Sequence, residues 1–377
     1  MRTPRPCGQH WGTIGRVTRV LILTASVGEG HDLPARLLAD AIAAEEPGAD
    51  VIVADGLRAM GRLFVLVNER APEIVFHHVR WIWDAAFTFF VAWAPVRGAT
   101  KWAVGLLGAP GVLRLVERTR PEVVVSTYPM TTEVLGGLRR RGKLHVPAVA
   151  AITDLAMMHY WAAPGIDLHL ITHPESDEEV RAVAGPSARV VAVRGLTRPE
   201  FETPRDSADA RRALELPPSA RIVVVSGGGW GVGDVVGAVD AALSLEDSLV
   251  VCLCGRNESL RTELESRYGT QGRVRAIGFT DAMGDWLAAG DVLVHSTGGL
   301  TVLEAAIRGC PTISYGWGRG HIRANNDAFE RHGLAEVVSS PHALREAIAR
   351  ALEAGRREQS SIADLPSAAS LVLELVR

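Results

Sequence analysis

DVLVHSTGGLTVLEA, residues 291–305, reads as a strand ending on Ser296, a turn built on Gly298 and Gly299, and a helix that carries Glu304 in its first turns. The run Asp291–Ser296 is short, apolar and β-branched, which fits a strand buried on both faces of a parallel sheet. Two glycines between strand and helix leave backbone N–H groups open at a helix start, where the dipole favours an anion. A carboxylate in the first turns of that helix faces the same crevice and can accept both hydroxyls of a ribose. The plain alternative for Glu304 is a solvated acid that complements the helix dipole.

The same pattern recurs along the 377 residues. Short β-branched runs at 20–25, 50–55, 122–127, 146–153, 168–172, 221–226, 249–254, 274–278 and 311–316 alternate with segments of helical spacing such as 34–46 and 300–308. Repeated βα units on this scale predict an α/β fold of doubly wound, Rossmann-like domains. The stretch 196–220 breaks the alternation: it is rich in Pro, Thr and charge and lacks apolar periodicity, as a linker does. The expected division is an N-terminal extension at 1–16, a first Rossmann-like domain at 17–195, the linker, a second Rossmann-like domain at 221–360 and a final helical segment at 361–377.

Two further glycine turns carry chemistry. Ser226-Gly227-Gly228-Gly229-Trp230-Gly231-Val232-Gly233 follows the strand at 221–226 and offers free backbone N–H groups suited to a diphosphate. It is not a Walker A loop, because no Gly-Lys-Ser/Thr follows. Ser26-Val27-Gly28-Glu29-Gly30-His31 follows the first strand, and a His at that mouth can take a proton from an acceptor hydroxyl. An ordinary βα turn with an exposed His is the alternative there.

The formal net charge of −3 points to neither nucleic acid nor membrane. Residues 58–143, however, carry a net charge of +7 and four of the nine Trp: Trp81, Trp83, Trp93 and Trp102. Such a segment fits an anionic lipid surface, here assigned to 74–120, or equally a solvated helical face with Trp in the core. The apolar run Ala85–Val96 is too short to span a bilayer. Cys252 and Cys254 alternate in VVCLC as buried strand thiols, and no cysteine spacing fits zinc or a disulfide framework. These features fit a cytoplasmic protein, peripheral on the inner face of the cell membrane if the basic segment binds lipid.

The Gly-Gly-Leu-Thr-x-x-Glu-Ala stretch, the opening Thr-Ala-Ser-x-Gly-x-Gly-His, Thr153-Asp154 followed by His159 and Trp161, and Arg194-Gly195-Leu196 with Arg198 together resemble glycosyltransferase family 28. The likeness is strongest to its monogalactosyl- and glucosyl-diacylglycerol synthases and more distant to the lipid-linked peptidoglycan N-acetylglucosaminyltransferase. It covers roughly 18–376. The resemblance implies a GT-B fold, two Rossmann-like domains facing across a cleft, with a C-terminal helix crossing back to the first. It implies a nucleotide-sugar co-substrate, UDP-linked, and a lipid acceptor such as diacylglycerol, with inverting chemistry. It assigns Glu304 to the ribose, Gly227, Gly228, Gly298 and Gly299 with Ser226, Leu300 and Thr301 to the donor, and Ile277, Gly278 and Phe279 to the base. His31 would act at the reacting hydroxyl, with Asp154 as alternative or supporting base. Gly28, Gly30, His159 and Trp161 would line the acceptor side, and Arg198 would neutralise the leaving diphosphate.

The family's Gly-Gln-Glu-x-x-Asn segment is altered here to Gly320-His321-Ile322-Arg323-Ala324-Asn325, which keeps only the Asn among the polar groups expected to hold the sugar. His321 and Asn325 are assigned to the donor on that match. No acidic metal motif sits at a strand end, so the expected transfer needs no metal or other cofactor. A soluble small-molecule acceptor, or nucleotide-sugar binding without transfer, remain the competing readings.

Overall fold

The computed structural model describes residues 17–25, 29–67, 93–231, 233–296, 298–316 and 320–377. The expected N-terminal extension, Gly28, Trp81 and Trp83 lie outside the described residues. In the N-terminal half, β1 (Arg19–Thr24), β2 (Asp50–Asp55), β3 (Val123–Ser126), β4 (Ala148–Ile152), β5 (Leu168–Ile171) and β6 (Val190–Ala192) form one parallel sheet in the order β2-β1-β3-β4-β5-β6. Around it lie α1 (Glu29–Glu45), α2 (Gly56–Met60), α3 (Arg62–Val65), α4 (Ala94–Thr119), α5 (Pro129–Arg140), α6 (Met158–Trp161) and α7 (Asp177–Ala184).

The C-terminal half opens with α8 (Ser207–Ala213). Its strands β7 (Arg221–Ser226), β8 (Ser248–Leu253), β9 (Val274–Ile277), β10 (Val292–His295), β11 (Thr312–Tyr315) and β12 (Glu336–Val338) pair in parallel in the order β12-β11-β10-β7-β8-β9. Its helices are α9 (Val235–Leu243), α10 (Glu258–Tyr268), α11 (Met283–Ala289), α12 (Gly299–Ile307), α13 (Gly320–Arg331), α14 (Pro341–Ala354) and α15 (Ala368–Glu374).

Each sheet is buried on both faces, which is why the strands read as continuous apolar runs. Leu21, Leu23 and Val124 face one core while Val20, Ile22 and Val123 face another, following the two-residue alternation of a strand. The strand order reverses between β1 and β3 in the first sheet and between β7 and β10 in the second. Those two reversals are where open α/β sheets leave a crevice beyond the strand ends. All three glycine turns follow a strand at one of these points.

The C-terminal helix returns to the first sheet as expected. Ala368, Leu371 and Val372 of α15 are buried with Ala35, Leu38 and Ile42 of α1. Ser367 and Ser370 donate to the two carboxylate oxygens of Glu45 at 2.5 and 2.6 Å.

The segment 196–220, expected to be a linker, is instead packed structure. Phe201, Ala210 and Leu216 are buried with Ile222, Val224 and Trp286 of the second half. Asp206 caps α8 by accepting from the Asp209 backbone N–H. Arg211 donates to the carbonyls of Ala289, Pro218 and Ala220 and to both oxygens of Asp291. A seven-residue helix, about two turns, is too short to show periodicity, so polar side chains that staple backbone look like linker composition. Replacing Arg211 by Ala leaves Asp291 without its cation, though still held by the Ile222 N–H, and removes the donor to three carbonyls; equilibrium denaturant unfolding should register a loss of about 3 kcal/mol.

Candidate active site

Several strand ends and helices of the C-terminal half line one cleft, among them Ser226 at the end of β7 with Gly228 and Gly229, Gly278 and Phe279 after β9, and Thr301 and Glu304 on α12. Arg198, ahead of α8 in the chain, also lines it, and Leu33 of α1 closes it from the other half. The cleft therefore lies between the two sheets. Its glycine turn is shaped for a close backbone approach. Gly228 has φ +70°, outside the range of most side-chain-bearing residues, and its N–H points to Ser226 Oγ at 3.2 Å.

Thr301 and Glu304 are three residues apart on α12 and so share a face. Glu304 is buried, and burial pushes its pKa up to about 8 against the pull of Arg198 and Arg308, with Glu200 adding to the rise. In the free protein this acid is largely protonated at neutral pH. A ribose that brings two hydroxyl donors would favour its ionised form. Arg198 is held by Asp281 at 3.1 Å, which fixes a cation beside the cleft. Phe279 is half-exposed, with the Arg256 guanidinium 4.0 Å above its ring, a flat platform at the cleft edge. The Ile277 side chain joins the core below, and its carbonyl accepts from Cys254, so the contacts available there belong to Gly278 and Phe279.

Gly298 and Gly299 come close to the other half of the molecule. A side chain at Gly299 would meet the Thr153 carbonyl at 2.7 Å and Asp154 Cα at 3.2 Å. The glycine lets the end of β4 reach the start of α12, and the Asp154 carboxylate sits over that helix N-terminus, where the dipole favours it. Leu300 is half-buried on the same turn.

On the N-terminal side, His31 in the first turn of α1 meets Tyr128 edge-on at 5.0 Å and Trp161 at 5.4 Å between ring centroids. Trp161 is buried and donates its indole N–H to Asp154 at 3.3 Å. Thr153 donates to the Gly30 carbonyl at 3.3 Å. The structure thus brings His31, Trp161 and Asp154 into one chain of contacts. It does not bring His159 there. That ring packs on Tyr160, Lys101 donates to its carbonyl, and it lines a second cleft with Met157, Glu179 and Arg331. Burial, with Arg97 and Lys101, pulls the His159 pKa down to about 4, so the ring is neutral. Asn325 is engaged across the cleft: its side-chain oxygen accepts from the Ala156 N–H at 3.2 Å. The His321 side chain lies outside the described residues.

Sequence reasoning missed Leu33, Tyr128, Arg256 and His173. Arg256 follows a strand end, a position that could have flagged it. Tyr128 follows β3 at the other sheet reversal. His173 is buried beside Asp154 and the Gly299 backbone; burial lowers its pKa, which Glu175 and Asp154 partly restore. Nothing in its local sequence marks it.

A cleft between two parallel α/β sheets, with a glycine turn and a buried acid on its C-terminal wall, is the architecture of a GT-B glycosyltransferase. Solved structures agree on the fold: a spinosyn rhamnosyltransferase complexed with thymidine diphosphate superposes with a TM-score of 0.58 at 16% identity, covering 96% of this chain and all of that one. The MurG protein of Acinetobacter baumannii follows with a TM-score of 0.56 at 14% identity over 96% and 99% of the two chains. Residues 102–197 match the family model of monogalactosyldiacylglycerol (MGDG) synthase and 222–354 that of glycosyl transferases group 1. A probable monogalactosyldiacylglycerol synthase 2 of Oryza sativa subsp. indica is 29% identical over 92% of this chain and 76% of its own. A processive diacylglycerol beta-glucosyltransferase of Bacillus subtilis is 24% identical over 88% and 86%. Along most of its length the chain is similar to monogalactosyldiacylglycerol synthases and processive diacylglycerol glucosyltransferases, and it is a hexosyltransferase.

Proposed function

We propose that the chain transfers a hexose from a UDP-sugar to a diacylglycerol-type lipid, with inversion and without a metal. The observation that carries the donor half of this reading is the single cleft shared by the Gly228 turn and Glu304. The diphosphate would lie against the backbone of the Gly228–Gly229 turn, with the ribose on Glu304 and the base toward Phe279. As the anomeric bond breaks, negative charge grows on the leaving UDP, and the fixed backbone dipoles with Arg198 stabilise it. The acceptor hydroxyl would enter from the N-terminal side and lose its proton to the His31–Asp154 group. Attack from the wall opposite the leaving group inverts the anomeric carbon.

The lipid half rests on the names of the relatives and on exposed apolar side chains. Leu63, Leu66 and Val67 before the segment 68–92, and Trp93, Trp102, Leu106 and Leu107 after it, are exposed, Trp102 at 66%. Among the described residues no helix is long and apolar enough to cross a membrane. Large exposed apolar side chains on the helix that carries Arg97 suit insertion at a lipid interface.

Vesicles containing an anionic lipid should sediment with the protein, and diacylglycerol in them should be glycosylated from a UDP-hexose. Trp102→Ser should weaken vesicle partitioning about tenfold while leaving UDP binding unchanged. Turnover of soluble acceptors with indifference to vesicles would transfer the case to a soluble-acceptor enzyme.

A further inference from the structure

Residues 153–156, the tip of the chain beyond β4, cross from one half of the molecule into the other. Leu155 and Ala156 are buried in a cluster whose other members, Val302, Ala328, Phe329 and Ala335, all belong to the C-terminal half. Gly299 leaves room for the Thr153 carbonyl and Asp154 Cα, and Asn325 of α13 accepts from the Ala156 N–H at 3.2 Å. The hydrogen bond is buried at both ends, with Asn325 2% and Ala156 6% exposed. A buried N–H without a partner is costly, so this bond sets the register of the plug and with it the direction of Asp154, two residues before.

We infer that Asn325 is a positioning residue: its amide, together with the Leu155 plug, holds the Asp154 carboxylate at the mouth of α12, and it does not contact the donor. The inference rests on the reading of Asp154 as part of the acceptor-side proton-accepting group. α12 links the two sites mechanically. Its Thr301–Glu304 face lines the donor cleft, while Val302 packs on the plug. Donor binding and base placement thus share one helix, and Asn325 on the neighbouring helix keeps the loop seated.

The test measures transfer from a UDP-hexose to diacylglycerol vesicles, with UDP affinity titrated separately, on the full chain. Asn325→Ala should lower kcat tenfold or more, since small misplacement of a reacting group costs about a hundredfold. The donor KM and the UDP Kd should stay within about twofold, a range that leaves donor contacts intact. Asn325→Asp, which keeps an oxygen acceptor in the same place, should recover most of kcat. A raised donor KM with unchanged kcat would overturn the inference and return Asn325 to the donor site; unchanged values of both would overturn it as well. Should Asn325→Ala not fold, Leu155→Val trims the plug by one methylene and carries the same split: slower kcat at constant donor KM supports the inference, unchanged kcat refutes it. Asp154→Asn run in parallel separates the two failures. If it transfers normally, the role of Asp154 is wrong; if it is slow while Asn325→Ala is normal, only the positioning is wrong.

Discussion

UDP should bind about tenfold more tightly at pH 9 than at pH 7, and Glu304→Gln should abolish that slope. Burial holds the free carboxyl at a pKa of about 8, above the 4.5 of an unperturbed Glu. Two ribose hydroxyls favour the ionised form, so binding must first remove a proton, and that cost shrinks as the pH approaches and passes 8. The phosphates of UDP finish ionising nearer pH 6, below this window. The sign for stability is opposite. A carboxyl whose folded pKa is raised binds more protons in the folded state than in the unfolded one. The free protein therefore loses stability as pH climbs from about 4.5 through 8. Glu304→Gln, neutral and of the same shape, should be more stable than the parent above pH 8. Glu304→Ala should weaken UDP about thirtyfold or more, the worth of hydrogen bonds to one charged acceptor, and erase the UDP-induced rise in Tm. Calorimetric titration across pH 6.5–9.5 reads the affinities, and thermal unfolding over the same range reads the stabilities and the Tm shift. A flat Kd profile in the parent would show that Glu304 does not hold the ribose.

The parts of this molecule that were legible in the sequence are those governed by local rules. Strands buried on both faces must be continuous apolar runs, so both sheets could be read from β-branched stretches such as RIVVVS at 221–226. A glycine turn between strand and helix advertises itself, and the Gly228 turn and Glu304 do share a cleft. What escaped was long-range. Gly299 reads as a phosphate-binding glycine, yet the structure gives it a second reason, the carbonyl of Thr153 from 146 residues earlier in the chain. Asn325 carries the family's spacing, but its partner is a backbone N–H on the opposite half. Phe201 and Arg211 lie in a stretch of linker-like composition and are buried by elements whose sequence neighbours give no hint of them. Trp102 was open between core and surface; only packing could decide, and it is exposed.

The acceptor side yields the other large effect. His31→Ala and Asp154→Asn should each slow transfer by about a thousandfold, within the range for losing a positioned general base, while UDP affinity stays unchanged. The two residues touch through one side chain: the Trp161 ring packs on His31, and its indole N–H is donated to Asp154. Asp154→Asn keeps an oxygen for that indole N–H and removes the charge, so it tests electrostatics with the geometry preserved. Groups that act as a unit are non-additive, since once one is gone the other has nothing left to assist. The double variant should then be no slower than about the slower single, in place of the millionfold that independent effects would give. Trp161→Phe should fall between, because it keeps the ring against His31 and deletes only the donated N–H. Single-turnover transfer at saturating UDP-hexose reads each constant without product release. A double variant that is the product of the singles would mean that His31 and Asp154 act on separate steps, and unchanged transfer in His31→Ala would leave Asp154 as the sole base.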